Sequence, residues 1–470
     1  MAESATLAAL PSRRLLALPL QRAWRRFCKL VVLVHYRRCE IDGLEHVPRS
    51  GAVVLCANHP SALIDALIVQ AALPRIVHPL ARSGLFRNPL LWPILATIRA
   101  VPVYRRQDAG ADMARNRDMF DKCYEMLAAG GVILIFPEGV SHNDPKMRTV
   151  KTGAARLILG ALARGVTPLT VLPVGLNFSD IGRFRNNVFI RIGAPLAVEP
   201  APATRGVRQE EPVLALTGRI GEALRQATLN FETWSDQDML RRLERFFTLR
   251  RGKYQKRNLS QRFRALQTFG SRLNQLRAQH PERVAWADRS LRQFERLCRR
   301  FGVRDYQLGM ATDPVTIARF VARSLLMLLV GFPLGVWGAL NSAVPYALTG
   351  LLAVRFSKDR YQYDTAKISL GMLFFGLFWG GQTLCVWSAW GPRAGLFYLL
   401  SLPPTAGVAL FMRRERARIV DNTRVFFLFV RKKKVKDILR GKRTELERNL
   451  AGLAKLAKPH PRRGHAADNP

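Results

Sequence analysis

The chain has 470 residues, 48% of them hydrophobic, which is enough for two or three structural units with buried cores. Its 74 lysines and arginines against 34 aspartates and glutamates give a formal net charge of +40, which indicates an anionic partner. Nucleic acid is disfavoured because the sequence has no zinc-finger spacing or aromatic RNA-binding signature, and six cysteines without a CxxC pair argue against a disulfide scaffold.

The first predicted element is an amphipathic interfacial helix within residues 1–40. Residues 12–38 combine leucine, valine, tryptophan and phenylalanine with many arginines, as in a helix that lies in a bilayer interface. A packing helix of a soluble protein fits the same residues equally well. Arg22, Arg25 and Arg26 interrupt the apolar run, which argues against a signal peptide.

Residues 41–200 alternate short apolar runs with helix-like stretches. This alternation predicts an α/β domain in which a mixed sheet is flanked by helices. The predicted strands are 52–56, 76–80, 132–136, 169–176 and 188–192.

Residues 205–312 are polar, rich in arginine and periodic at helical spacing, which predicts a basic helical subdomain. Ser235 and Asp238 have the spacing of a capping box at the start of one of its helices. Region 318–412 contains nearly uncharged runs that are long enough to enter or cross a hydrocarbon layer of about 30 Å. These runs, which predict C-terminal transmembrane helices, are Ser324–Val354, Ile368–Trp390 and Ala394–Met412.

The first apolar run contains Pro333, Asn341 and Pro345, and its 31 residues predict a hairpin rather than one helix. The other two runs are joined by a short Gly-Pro-Arg turn at residues 391–393. Basic residues between 355 and 367 and in the tail 413–470 are expected on the cytoplasmic side.

The strongest motif is NHPSALID at residues 58–65, which follows the predicted strand 52–56 and leads into a helix. Histidine is the usual base for removing a hydroxyl proton, and a carboxylate can fix its tautomer. On one continuous helix, six positions would turn His59 and Asp65 roughly 240° apart. His59 must therefore lie in the turn before the helix if the two residues form a pair.

Two further motifs contain candidate phosphate-binding groups. FPEGVSH at residues 136–142 follows the predicted strand 132–136, and its Pro-Glu-Gly turn exposes backbone amides beside Ser141. Arg105 and Arg106 end an extended segment, and the planar guanidinium group suits phosphate oxygens. A purely structural turn and a solvated arginine pair are the alternatives that these residues leave open.

Four blocks between residues 41 and 195 resemble those of the PlsC-like glycerolipid acyltransferase family, in the family's order. After a segment at 42–48 that resembles the family's lead-in strand and turn, they lie at 58–65, 84–105, 136–139 and 171–175. The resemblance implies that His59 and Asp65 are the catalytic pair. It also implies that Arg105, Glu138 and Gly139 lie at the glycerophosphate site.

The chain departs from the common family pattern at two points. Five residues separate His59 from Asp65 where the family usually has four, and no Thr-Arg follows Gly139. Arg106 and Lys151 are therefore expected to share phosphate binding with Ser141. Both departures resemble the yeast-type glycerol-3-phosphate and dihydroxyacetone-phosphate acyltransferases, as do the segments GLNF at 175–178, FR at 184–185 and TLN at 228–230.

The resemblance implies transfer of a fatty acyl group from acyl-CoA or acyl-ACP to the sn-1 hydroxyl of glycerol-3-phosphate or dihydroxyacetone phosphate, in phospholipid biosynthesis. Acylation of lysophosphatidate uses the same pair and stays an alternative, as does a non-catalytic scaffold that binds acidic lipids. The expected partners are the glycerophosphate acceptor, the thioester donor and acidic membrane lipids, without metal, cofactor or nucleic acid. The expected location is a bacterial inner membrane, with the catalytic domain on its cytoplasmic face.

Overall fold

The computed structural model describes residues 18–87, 92–104, 116–199, 210–250, 258–309 and 325–456, together with residues 315, 318, 319 and 322. The chain divides into two compact units. The first comprises residues 1–230 and 353–369, and the second comprises residues 231–352 and 370–470.

A seven-stranded sheet forms the centre of the first unit, with strand order β1-β7-β6-β2-β5-β3-β4. Every neighbouring pair is parallel except β6 and β7, so the predicted mixed sheet is confirmed. The strands are β1 Tyr36–Asp42, β2 Ala52–Ala57, β3 Val77–Arg82, β4 Val101–Val103, β5 Val132–Ile135, β6 Leu169–Phe178 and β7 Asn186–Ile192.

Helices cover both faces of this sheet. They are α1 Leu18–His35, α2 Leu63–Ala72, α3 Trp92–Thr97, α4 Asn116–Ala128, α5 Gly153–Ala163 and α6 Glu210–Ala227, with 3₁₀ turns at Leu44–His46, Ser83–Arg87 and Arg360–Gln362. Along β2, Val53, Leu55 and Ala57 enter the core beneath α1 and α2. Val54 and Cys56 enter the opposite core beneath α4, α5 and α6. The strand is therefore buried on both faces and appears in the sequence as one continuous apolar run.

The N-terminal helix ends at His35, within the stretch 12–38 that was predicted as helix. Arg185 terminates it, because its guanidinium Nη1 donates to the carbonyl oxygens of Leu33 and Val34. The backbone N–H of Arg185 also donates to the carbonyl of His35. These bonds satisfy the last carbonyls of α1, and strand β1 follows directly.

The second unit is helical. Its elements are α7 Trp234–Arg250, α8 Leu259–Gln279, α9 Pro281–Arg300, a 3₁₀ turn Asp305–Gly309, a π turn Met327–Gly331, and the helical stretches Phe332–Phe356, Tyr363–Arg431 and Lys433–Leu456, of which residues 353–369 belong to the first unit. The capping box of α7 is formed by Thr233 and Asp236, two residues earlier than the predicted pair.

The predicted hairpin within residues 324–354 is wrong, because Phe332–Phe356 is one helix that continues through Pro345. Proline lacks the N–H that would bond the carbonyl of Asn341. Nε2 of Gln382 donates to that carbonyl instead, at 3.4 Å. The side chain of Asn341 bonds the carbonyl of Trp337 at 2.8 Å, within the helix. Both residues are thus accommodated without a reversal of the chain.

Gly391 divides the stretch Tyr363–Arg431 into two helices, since its φ of 82° and ψ of 175° are not helical. The break falls at the predicted Gly-Pro-Arg turn. Among the described residues, one helical stretch, Arg360–Arg431, is long and apolar enough to cross a membrane, with a mean hydropathy of 1.5 over its most apolar window. This criterion concerns length and composition only.

Candidate active site

The two main motifs meet because they follow neighbouring parallel strands. Cys56 of β2 pairs with Ile135 of β5, so both strands end at the same edge of the sheet. NHPSALID leaves β2 and FPEGVSH leaves β5 at this edge. Carboxyl ends of adjacent parallel strands are a common position for ligand sites in α/β sheets.

His59 lies in the turn before α2, and Asp65 lies in the first turn of that helix. The Nδ1 atom of His59 is 2.9 Å from Oδ2 of Asp65. Because an ionised carboxylate only accepts hydrogen bonds, Nδ1 carries the proton and Nε2 of the neutral ring is the unprotonated nitrogen. Within the described residues Nε2 has no hydrogen-bond partner, and the ring stacks on Phe136 with centroids 3.9 Å apart.

Asp65 is fully buried, whereas the side chain of His59 keeps 19% of its exposure. Burial raises the pKa of Asp65 above its ordinary value, and the hydrogen bond from His59 opposes this effect. The backbone N–H of Ser61 also donates to Oδ2 of Asp65, at 2.8 Å. The carboxylate is therefore held in an apolar setting by two donors, and the imidazole connects it to the surface.

The turn between the two residues holds an unusual backbone conformation. Ala62, immediately before α2, has a φ of 52° and a ψ of −135°. A residue with a β-carbon in such a region stores on the order of 1–3 kcal/mol of strain.

Glu138 joins the second motif to the first. Its carboxylate accepts from the backbone N–H of His59 at 3.3 Å, from Nε2 of His142 at 2.5 Å and from the backbone N–H of Arg148 at 2.8 Å. Its side chain is almost fully buried. Both oxygens are occupied by protein donors, so Glu138 fixes the loop against the base rather than presenting a bare carboxylate to the pocket.

His142 is a second link between the motifs. Its backbone N–H donates to the carbonyl of His59 at 3.1 Å. Its Nδ1 accepts from the backbone N–H of Asp144 at 3.2 Å, which leaves Nε2 as the donor to Glu138. His142 was not predicted to have this role, although it lies four positions after Glu138 in the same motif.

A pocket with an empty volume of about 290 Å³ lies beside the pair and is open to solvent. Its lining is mostly polar and comprises Asn58, His59, Pro60, Glu138, His142, Asp144, Pro145, Met147, Thr228, Leu229 and Asn230. Oδ2 of Asp144 accepts a hydrogen bond from Nε of Arg148 at 2.8 Å, so the negative charge of Asp144 is paired with a guanidinium group. The open nitrogen of the base and a small polar volume thus occur at one place.

Residues 228–230 form one wall of this pocket, and hydrogen bonds attach them to β6. The side chain of Asn177 donates to the carbonyl of Ala227 at 3.1 Å and accepts from the N–H of Leu229 at 3.0 Å. A β-carbon at Gly175 would clash with the carbonyl of Ala227, so the approach needs glycine there. Asn230 accepts from the N–H of Met147 at 3.0 Å and closes the wall against the second motif.

The predicted phosphate-binding residues are only partly described. Arg105 and Arg106 lie outside the described residues. Gly139 has a φ of 73°, and a β-carbon there would lie within 3.2 Å of the side chain of Lys151, so the lysine lies over this glycine. Ser141 is half-buried in the same loop. Gly139 and Lys151 are thus close together, and neither they nor Ser141 are among the residues that line the pocket.

Parts of the chain are similar to known acyltransferases. Glycerol-3-phosphate O-acyltransferase 2 of Saccharomyces cerevisiae is 33% identical over 90 residues, which cover 19% of this chain and 12% of the yeast protein. A chloroplastic 1-acyl-sn-glycerol-3-phosphate acyltransferase of Arabidopsis thaliana is 26% identical over 140 residues, which cover 30% of this chain and 37% of that protein. The matches therefore span well under half the length of both relatives.

Among solved structures, the 1-acyl-sn-glycerophosphate acyltransferase PlsC of Thermotoga maritima matches with a TM-score of 0.33 and 20% identity, covering 44% of this chain and 77% of that one. The sequence model of the family described as Acyltransferase matches residues 38–177, which contain both motifs. Residues 38–177 therefore form a domain of the PlsC-like acyltransferase family.

Proposed function

We propose that the protein transfers a fatty acyl group from an acyl thioester, acyl-CoA or acyl-ACP, to the sn-1 hydroxyl of glycerol-3-phosphate or dihydroxyacetone phosphate. The observation that carries this proposal is the bond of 2.9 Å between Nδ1 of His59 and Asp65, which leaves the other ring nitrogen open beside a polar pocket. The family of residues 38–177 supports acyl transfer as the reaction class.

In the proposed reaction, Nε2 of His59 takes the proton of the acceptor hydroxyl as its oxygen attacks the thioester carbonyl carbon. A carbon–oxygen bond forms, and the carbonyl oxygen becomes an oxyanion that backbone N–H groups of the two motifs stabilise. Collapse of this intermediate breaks the carbon–sulfur bond, and the thiolate takes the proton from the imidazolium. Asp65 stays ionised and stabilises the imidazolium between these steps.

The acceptor is proposed from the departures within the motifs. The five-residue spacing after His59 and the Ser-His ending of the second motif resemble the enzymes of the first acylation. Lysophosphatidate is the second candidate, because relatives with both activity names match this chain. The polar lining of the pocket suits the hydroxyl-bearing part of either acceptor. Arg105, Arg106, Ser141 and Lys151 are proposed to bind the phosphate.

A membrane surface is the proposed location, with the catalytic domain on the cytoplasmic face. The apolar stretch Arg360–Arg431 supports membrane insertion. Helix α1 supports contact with the bilayer surface, since its Leu30 and Leu33 are 57% and 70% exposed between arginines. The excess of basic residues would then face acidic lipid headgroups.

The test is an acyl-transfer assay with purified full-length protein in detergent or lipid vesicles. Acyl-CoA and acyl-ACP are each offered with glycerol-3-phosphate, dihydroxyacetone phosphate and lysophosphatidate, and His59→Ala serves as the control. We expect product with glycerol-3-phosphate or dihydroxyacetone phosphate, and loss of product in the control. Product from lysophosphatidate alone would select the second candidate. No product from any pair, or equal product from the control, would contradict the proposal.

A further inference from the structure

A segment from the distant C-terminal part of the chain lies against the catalytic turn. Residues 360–367, here called the docking segment, belong to the first unit although at least 300 residues separate them from His59. Arg360 donates to Asp180 at 2.6 Å and to the carbonyl of Ile181 at 3.1 Å. Lys367 donates to the carbonyl of Gly182 at 2.5 Å. The segment is thus attached to the turn between β6 and β7 by charged groups.

Asp364 is the buried centre of the docking segment, with no exposed surface. Its Oδ1 is 3.0 Å from Nε2 of His35. Its Oδ2 accepts from the hydroxyl of Ser61 at 3.2 Å and from the backbone N–H of Gly182 at 3.1 Å. Burying a carboxylate costs free energy unless its oxygens make well-placed hydrogen bonds. The three partners of Asp364 are therefore held at fixed positions around it.

Ser61 is the group through which Asp364 reaches the catalytic pair. Its side chain bonds Asp364, and its own carbonyl accepts from the hydroxyl of Thr365 at 3.4 Å. Its backbone N–H donates to the same oxygen of Asp65 that holds His59. The other oxygen of Asp65 has no partner within the described residues. The orientation of the Asp65 carboxylate therefore depends on where Ser61 is held.

We propose that Asp364 is a positioning residue for the His59–Asp65 pair, which it orients by holding Ser61 from the docking segment. The proposal rests on the proposed function for its kinetic test, but the geometry can also be tested without activity. Two His–Asp pairs then lie in sequence: the outer pair, His35 with Asp364, is buried and holds the turn, and the inner pair, His59 with Asp65, carries out proton transfer.

An asparagine at position 364 separates geometry from charge. Its amide oxygen can accept from Ser61 and Gly182, and its NH₂ can donate to Nε2 of His35 in place of the bond that Oδ1 makes. An alanine removes all three contacts. If Asp364 acts by position, Asp364→Asn should keep kcat within about fivefold of the wild type. Asp364→Ala should lower kcat roughly 100-fold, because small displacements of reacting groups reduce rates by about that factor.

Two controls distinguish this role from general attachment of the segment. Asp180→Asn breaks the ion pair with Arg360 in the same segment without touching Ser61, so it should leave kcat within about twofold. Ser61→Ala removes the hydroxyl that links Asp364 to the turn. In the Ser61→Ala/Asp364→Ala double variant, the two losses in kcat should therefore not multiply. Acceptor KM should change less than threefold in all five variants, since none of these residues lines the pocket.

A readout independent of activity is hydrogen–deuterium exchange of peptides that cover residues 58–66 in the full-length protein. Exchange of the Ser61 and Asp65 amides should accelerate in Asp364→Ala and stay at the wild-type rate in Asp364→Asn and Asp180→Asn. This result with an inactive wild type would remove the proposed function and keep the positioning role. Equal losses in Asp364→Asn and Asp364→Ala, equal losses in Asp180→Asn, or multiplicative losses in the double variant would overturn the positioning role.

Discussion

Asp65→Asn tests the catalytic pair most directly, because it keeps the shape of the side chain and removes its charge. Oδ2 of Asp65 accepts from His59 at 2.9 Å and from Ser61 at 2.8 Å, while Oδ1 has no partner within the described residues. An asparagine with its carbonyl oxygen at the place of Oδ2 retains both bonds. The turn should therefore keep its structure, and any loss of rate reports the missing charge.

The expected loss follows from the change in one hydrogen bond. A bond to a charged group contributes about 1.5–3 kcal/mol, against about 0.5–1.5 kcal/mol for a neutral one. The imidazolium that forms in the transition state should thus lose about 1–2 kcal/mol of stabilisation. Since about 1.4 kcal/mol corresponds to a factor of ten, kcat should fall roughly 5- to 30-fold.

Removal of the base should have a larger effect. His59→Ala should lower kcat roughly 10²- to 10⁴-fold, the usual contribution of a positioned base. The double variant should be no slower than His59→Ala alone, because the carboxylate acts only through the imidazole.

The assay measures initial rates of acyl transfer at saturating donor and acceptor, with thermal melts to show that each variant is folded. Near-wild-type turnover by His59→Ala would refute the mechanism. Losses that multiply in the double variant would show that the two residues act independently, which contradicts the pairing.

Three further outcomes are expected. Burial raises the pKa of Asp65 above its ordinary 3.8, so the folded wild type loses stability relative to Asp65→Asn as the pH rises from 3.8 through the raised value. The melting temperature of the variant relative to that of the wild type should therefore rise as the pH is raised from about 4; a difference independent of pH would contradict this. Glu138→Gln places an amide against buried N–H donors and should destabilise the fold by about 1–3 kcal/mol in thermal or denaturant unfolding, whereas the exposed Glu125→Gln should not. Arg105→Ala should raise the acceptor KM more than the thioester KM in steady-state assays, and equal changes would remove Arg105 from the phosphate site.

The sheet could be predicted largely from the sequence, because its central strands are buried on both faces. Strands β2, β5 and β6 appear as continuous apolar runs and begin at the predicted residues. Strand β1 was missed. Its sequence YRRCEID is charged and half-exposed, since the strand lies at the edge of the sheet and pairs only with β7. Apolar runs therefore indicate the buried strands of a sheet but not a polar edge strand.

The helical part shows a different limit. Pro345 and Asn341 predict a break when only local sequence is considered. The break does not occur, because Gln382 supplies the missing donor from 41 residues further along the chain. Gly391 does break its helix. Its φ of 82° is readily adopted by glycine, which has no β-carbon, and needs no distant partner. Local rules thus hold where the cause is local and fail where a distant side chain compensates.

In the candidate site too, contacts between residues close in sequence were predicted and contacts with a distant segment were not. His59 and Asp65 belong to one strand–turn–helix unit, so their spacing was sufficient to predict that they could meet. Asp364 lies 303 residues after Ser61, and its neighbours were interpreted only by charge, as a basic loop at a membrane surface. Arg360 and Lys367 instead bind the turn between β6 and β7. The basic loop is consequently part of the first unit, and the family match, which ends at residue 177, contains His59 and Asp65 but not residues 360–367.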